Sequence, residues 1–200
     1  MTKSHSISLI IVDMQNDLVL PNSPFRVIGA YETLPAVKKL LEAARSQNWP
    51  VFHVVREYRL DGVDIEWPRH DAFLRAGGYL VPGSRGAEIV AELAPQANEY
   101  RIIKPRFSAF MQTDLDFILR RLGVKNVVIC GTQYPNCIRA TAFDALSFDY
   151  DVTIATTATS AKSPDIAEAN IRDLRNVGIH CITLEELLAD PAYFRNIPEV

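Results

Sequence analysis

Six short runs of β-branched and aliphatic residues recur along the chain: ISLIIV at 7–12, VFHVV at 51–55, YRIIK at 100–104, NVVICG at 126–131, DVTIA at 151–155 and HCITL at 180–184. They are near-continuous rather than alternating in hydrophobicity. That pattern belongs to strands buried on both faces, as in a parallel sheet covered by helices. Segments of helical period separate them. TLPAVKKLLEAARSQNW sets Val37, Leu40, Leu41 and Ala44 on one face. TDLDFILRRLG opens with Thr113 as an N-cap, has Asp116 at the capping-box position and closes on Gly123. SPDIAEANIRDLRNVG offers Ser163 as N-cap, Pro164 in the first turn and Gly178 near the stop. This alternation predicts a doubly wound, Rossmann-like α/β fold, a three-layer α/β/α sandwich. A chain of 200 residues can bury such a core as one domain over residues 1–200, and no repeat or linker divides it.

Several function classes fall away early. A net charge of -3 leaves no basic footprint for nucleic acid. No block of like charge marks a membrane-surface segment. The apolar run before Asp13 is too short to span a bilayer and has no cleavage signature, so no signal peptide is expected. Three cysteines without CxxC spacing argue against a disulfide framework or zinc knuckle and for a reducing cytoplasm. Residues 56–86 break the β-α rhythm with a long polar stretch holding Trp67, Phe73 and Tyr79. A packed loop over a site or a subunit interface is expected there.

Ligands of open parallel sheets bind beyond the carboxyl ends of the strands. Three reactive residues sit just past strand ends: Asp13, Lys104 and Cys137. Together they make a coherent nucleophilic site. A thiol attacks as thiolate. A helix start behind Cys137 and the Lys104 ammonium would both favour that anion. Asp13 could take the thiol proton and return it to a leaving amine. On spacing alone, blander readings stay open: a turn residue, a solvated lysine and a small buried hydrophobe.

The words around these residues carry more. LIIVDMQNDLV, IIKPRFSAF and CGTQYPNCIRATAFDAL followed by DYDVTIATTATSA, in that order, resemble the isochorismatase-like cysteine hydrolase superfamily. That superfamily includes nicotinamidases, N-carbamoylsarcosine amidases, ureidoacrylate amidases and isochorismatases. The resemblance implies a six-stranded parallel sheet with helices on both faces and a catalytic set of Asp13, Lys104 and Cys137. It also implies a homodimer or homotetramer, an oxyanion site made by the Gln133 and Cys137 N–H groups, and a cis Thr132–Gln133 bond.

The cysteine points to C–N hydrolysis of a small amide, carbamoyl or ureido compound through a thioester. Isochorismatases that cleave a vinyl ether need no thiol; that activity and a catalytically silent oligomeric binding module are the alternatives. Nicotinamidases carry a metal motif after strand two. Here His53 lies inside a strand, and DIEWPRH, with Asp64, Glu66 and His70, does not reproduce the motif. No metal or other cofactor is therefore expected. Phe107 and Tyr134 are expected as pocket walls rather than ordinary core packing, and Gln15, with Asn16, as an orienter of Asp13, a substrate contact or equally a capping residue. Arg106 and Arg139 could grip a carboxylate or form surface ion pairs. Cys130 and Cys181 are expected to be buried and inert, and His180 structural.

Overall fold

The computed structural model describes residues 7–189; residues 1–6 and 190–200, and with them part of the single-domain and N-terminal expectations, lie outside the described residues. The strands are β1 (Ile7–Val12), β2 (Val51–Arg56), β3 (Tyr100–Lys104), β4 (Asn126–Gly131), β5 (Asp151–Thr159) and β6 (His180–Ile182). The helices are α1 (Asn16–Val19), α2 (Ala30–Ser46), α3 (Trp67–Arg75), α4 (Leu115–Arg121), α5 (Arg139–Ser147), α6 (Pro164–Asn176) and α7 (Leu184–Ala189). All six strands pair in parallel, in the order β3-β2-β1-β4-β5-β6. The order reverses between β1 and β4, so the crossover helices divide between the two faces there and leave a crevice. β1, β2 and β4 are buried along their whole length, which accounts for their unbroken apolar runs.

Two cores flank the sheet. On one side Leu115 and Leu119 of α4, Ala142 and Ala145 of α5 and Leu174 of α6 pack on Phe52, Ile102 and Ile129. On the other, Val37, Leu40, Leu41 and Ala44 of α2, with Leu184 and Leu187 of α7, pack on Leu9, Ile11 and Val128. Among the described residues no helix is long and apolar enough to cross a membrane.

Some local signals work differently from their sequence reading. Thr113 does not open a capping box. Its hydroxyl donates to Ala109 O and accepts from Leu115 N–H at 3.3 Å, with Asp114 at the cap position. Asp116 instead binds Arg120 Nε at 2.9 Å and the Tyr150 hydroxyl at 2.8 Å. Ser163 stands at the α6 cap without a side-chain cap bond. Residues 56–86 are not loop throughout. They contain α3, and Tyr58, Ile65, Phe73 and Leu80 form a small third core beneath it. The polar face of α3 hid this helix from a periodicity reading, since it buries only Phe73.

Gly131 makes the crevice possible. It ends β4 at φ 111°, and a Cβ there would lie 2.3 Å from Val12 O. The absent side chain lets β1 and β4 close up, and Thr132 N–H then donates to Val12 O at 2.9 Å. Gly131→Ala should therefore destabilise the protein by about 2 kcal/mol, through backbone strain and a forced separation of these strands. Denaturant midpoints check this; a loss below about 0.5 kcal/mol would mean that β1 and β4 part easily.

Candidate active site

Asp13 directly follows β1. Its N–H donates to Val54 O at 2.8 Å, and its φ of 55° lies in the left-handed region, unusual for a non-glycine residue. Lys104 closes β3 and is 0% exposed. Its ammonium reaches across the end of β2 to Asp13 Oδ2 at 2.9 Å and Cys137 Sγ at 3.4 Å, and donates to Arg106 O at 3.2 Å. Asp13 Oδ1 is buried without a hydrogen-bond partner. Three distant sequence positions thus meet at one sheet edge.

Cys137 lies in a π-helical turn, Tyr134–Ile138, that joins β4 to α5. The turn is anchored from β5. Tyr134 N–H donates to Ser160 O at 3.0 Å, and Thr132 and Ser160 share a hydroxyl bond at 2.9 Å. The Thr132–Gln133 peptide bond is cis. Among the described residues the Gln133 N–H has no acceptor, and Gln133 lines the cavity beside Cys137.

Lys104 acts on the thiol in the expected direction, but burial outweighs it. Burial, reinforced by the Asp13 charge, pushes the Cys137 thiol up to about 11, against the lowering influence of Lys104 and Arg56. The balance of these influences favours the protonated thiol. Asp13 Oδ1, an unoccupied acceptor, is available for its proton. The other two cysteines are buried free thiols; burial raises both, Cys181 to about 11.

The cleft above Cys137 encloses about 380 Å³, its open mouth included. Phe107 lines it, with the Arg56 and Arg69 guanidiniums 4.8 and 5.0 Å from its ring centroid. Two expected pocket residues do not line it. Gln15 is fully buried, donates from Nε2 to Arg56 O and Ala87 O and accepts from Arg56 N–H, each at 2.8 Å. It spends its amide clamping the exit of β2. Tyr134 points into the core, its hydroxyl 3.4 Å from Thr156 O. Arg106 donates to Asp64 O and so pins the 56–86 segment, while Arg139 pairs with Asp173 at 3.0 Å.

His53 bonds Glu99 at 2.9 Å, and burial lowers its pKa despite that partner. His70 pairs with Asp71, and Asp64 with Arg59. No group of three or more His, Cys, Asp or Glu that could hold a metal occurs among the described residues.

The residue that sequence reasoning missed is Arg56, the last of β2. It is 3% exposed, and its Nη2 lies 3.6 Å from Cys137 Sγ. Nη1 donates to the Tyr58 hydroxyl and to Glu66 Oε1, the latter at 2.8 Å. Burial would raise the Glu66 carboxyl, but Arg56 and Arg69 hold it below its usual range. The strand-end rule that singled out Asp13 and Lys104 also selects Arg56 once applied to β2.

A family model described as the isochorismatase domain matches residues 8–186. The solved structure of an isochorismatase family protein from Desulfovibrio vulgaris subsp. vulgaris str. Hildenborough is 51% identical. It superposes with a TM-score of 0.89 and covers 94% of this chain and 98% of its own. A protein of Arabidopsis thaliana named "probable inactive nicotinamidase" is 41% identical over 90% of this chain and 93% of its own length. The structure of N-carbamoylsarcosine amidase from Thermoplasma acidophilum is 27% identical, with a TM-score of 0.75, over 90% of this chain and 97% of that one.

The charge arrangement around the thiol is testable by alkylation. The native Cys137 should react with iodoacetamide along a pH profile whose midpoint lies near 11, because a raised pKa keeps the thiol protonated below it. Asp13→Asn removes a charge that raises this pKa while Lys104 and Arg56 remain. The midpoint should therefore fall by about one pH unit. A midpoint that stays or rises would mean that Asp13 does not act on the sulfur.

Proposed function

The chain belongs to the isochorismatase family, and from that premise we propose that it is a cysteine amidohydrolase cleaving a C–N bond of a small amide, carbamoyl or ureido compound. One observation carries the reading. Lys104 Nζ touches both Asp13 Oδ2 and Cys137 Sγ, while Asp13 Oδ1 is left as a free buried acceptor. A base, a cation and a thiol so arranged suit covalent acyl transfer.

In this mechanism the Cys137 proton passes to Asp13 as sulfur attacks the carbonyl carbon. Lys104 offsets the negative charge, whichever of Asp13 and Cys137 bears it. The carbonyl oxygen, now negative, accepts from the Gln133 and Cys137 N–H groups, each donor worth about 3–4 kcal/mol in the transition state. Asp13 returns the proton to the leaving nitrogen, and the C–N bond breaks to leave a thioester on Cys137. Water then attacks that thioester and gives a proton to Asp13. The C–S bond breaks, and the proton returns to sulfur. The Thermoplasma relative is named an N-carbamoylsarcosine amidase, which is of this bond class. A nucleophile that must remain a free thiol suits a reducing compartment such as the cytoplasm.

The name of the plant relative favours a second reading, a silent binding module. An ammonia-release screen over small amides, carbamoyl compounds and ureas separates the two: turnover of any one supports the enzyme, and none across the panel supports the module. With a substrate in hand, Cys137→Ala should lower kcat/KM by about 10⁴-fold or more with little change in Tm. Retained turnover would point to thiol-free chemistry, such as vinyl-ether hydrolysis. No step is routed through a metal, so EDTA should leave the rate unchanged. A loss reversed by a divalent cation would overturn that feature of the mechanism.

A further inference from the structure

Arg56 is held on nearly every side. Gln15 clamps its backbone N–H and C=O, each at 2.8 Å. Tyr58 and Glu66 take Nη1, and the Phe107 ring lies 4.8 Å from its guanidinium carbon. One edge of the planar group is left over. Nε is buried with no hydrogen-bond partner, and Nη2 meets the Cys137 sulfur at 3.6 Å, a weak acceptor. Nε and Nη2 together form the side-on fork that receives both oxygens of a carboxylate. Leaving such donors unsatisfied in a buried site is unfavourable, and a ligand anion removes that penalty.

The local charge has the matching sign. The cavity is lined by Asp13, Arg56 and Arg69, with Lys104 bonded to Asp13 and Glu66 bonded to Arg56. Three cations thus face two carboxylates, an excess of one positive charge whenever the thiol is protonated. A planar monoanion satisfies both the fork and the charge.

We infer that Arg56, with its Nε–Nη2 edge beside Cys137 Sγ, is a carboxylate-binding subsite, and that the substrate carries a carboxylate within two or three bonds of its scissile carbonyl. This rests on the proposed nucleophilic role of Cys137 and adds the chemical class of what Cys137 attacks. The rival role for Arg56 is to steady a Cys137 thiolate and nothing else.

Iodoacetate and iodoacetamide separate the two roles, because they alkylate the same sulfur and differ in a carboxylate next to the reacting carbon. Any effect of Arg56 on thiol reactivity acts on both and cancels in their rate ratio. N-Acetylcysteine in the same buffer supplies the reference ratio, and peptide mass analysis assigns the adduct to Cys137. The subsite should raise the iodoacetate-to-iodoacetamide ratio about tenfold or more above that reference, with saturation in iodoacetate. Propionate should protect the native protein against iodoacetamide. Arg56→Gln should return the ratio to the reference value. The native-protein ratio and propionate protection decide the matter even if that variant does not fold. Brisk alkylation by both reagents at the reference ratio, without propionate protection, would overturn the subsite and leave the nucleophile intact. Failure of both reagents at Cys137 even near pH 11, at the expected midpoint of its ionisation, would overturn the nucleophile and the subsite together.

Discussion

Because every strand runs the same way, every strand delivers its last residue to the same edge of the sheet. The reversal of strand order between β1 and β4 opens a crevice at that edge. Nearly everything chemical in the molecule follows from this constraint. β1, β2 and β3 each contribute an ionisable side chain at their exit: Asp13, Arg56 and Lys104. β4 contributes the turn that holds Cys137. The close contact of Gly131 with Val12 brings the two sides of the crevice within hydrogen-bonding distance. Residues from the first strand to the fourth then form one site.

The site concentrates charge in a place that would ordinarily exclude it. Removing an ammonium or a carboxylate from water costs several kcal/mol per ion, and a buried pair recovers this only with good geometry and further hydrogen bonds. Lys104 and Asp13 meet at 2.9 Å, and Lys104 has a backbone carbonyl besides. Asp13 is not saturated in return, because Oδ1 stays without a partner. A structural ion pair gains nothing from that omission. A proton acceptor requires it. The same burial favours the protonated thiol, which defers charge separation until the thiol gives up its proton.

The segment between β2 and β3 plays a different part from the strand ends. α3 and the small core of Tyr58, Ile65, Phe73 and Leu80 make it a packed wall rather than a loose loop. Glu66 and Tyr58 hold one end of the Arg56 guanidinium, and Arg106 ties the segment to the exit of β3. The wall therefore sets the orientation of Arg56, and with it the shape and sign of the cavity.

Local chemistry determined the layered architecture, because continuous apolar runs have few stable solutions other than a covered parallel sheet. It also determined the existence of the strand-end residues and, through ordered motifs, which family they resemble. β1, β3 and β4 were legible to the residue for that reason. Tertiary structure alone decided what each side chain does with its hydrogen bonds. Gln15 follows Asp13 closely in sequence yet turns to the backbone of Arg56, and Tyr134 is a neighbour of Cys137 in sequence yet points into the core. The protonation state of Cys137 was equally out of reach, since it depends on burial and on the balance of Asp13 against Lys104 and Arg56 across three strand ends. Arg56 has an ordinary sequence signature. Its importance comes from an unpaired edge aimed at a sulfur 81 residues away, a relation that only a folded chain contains.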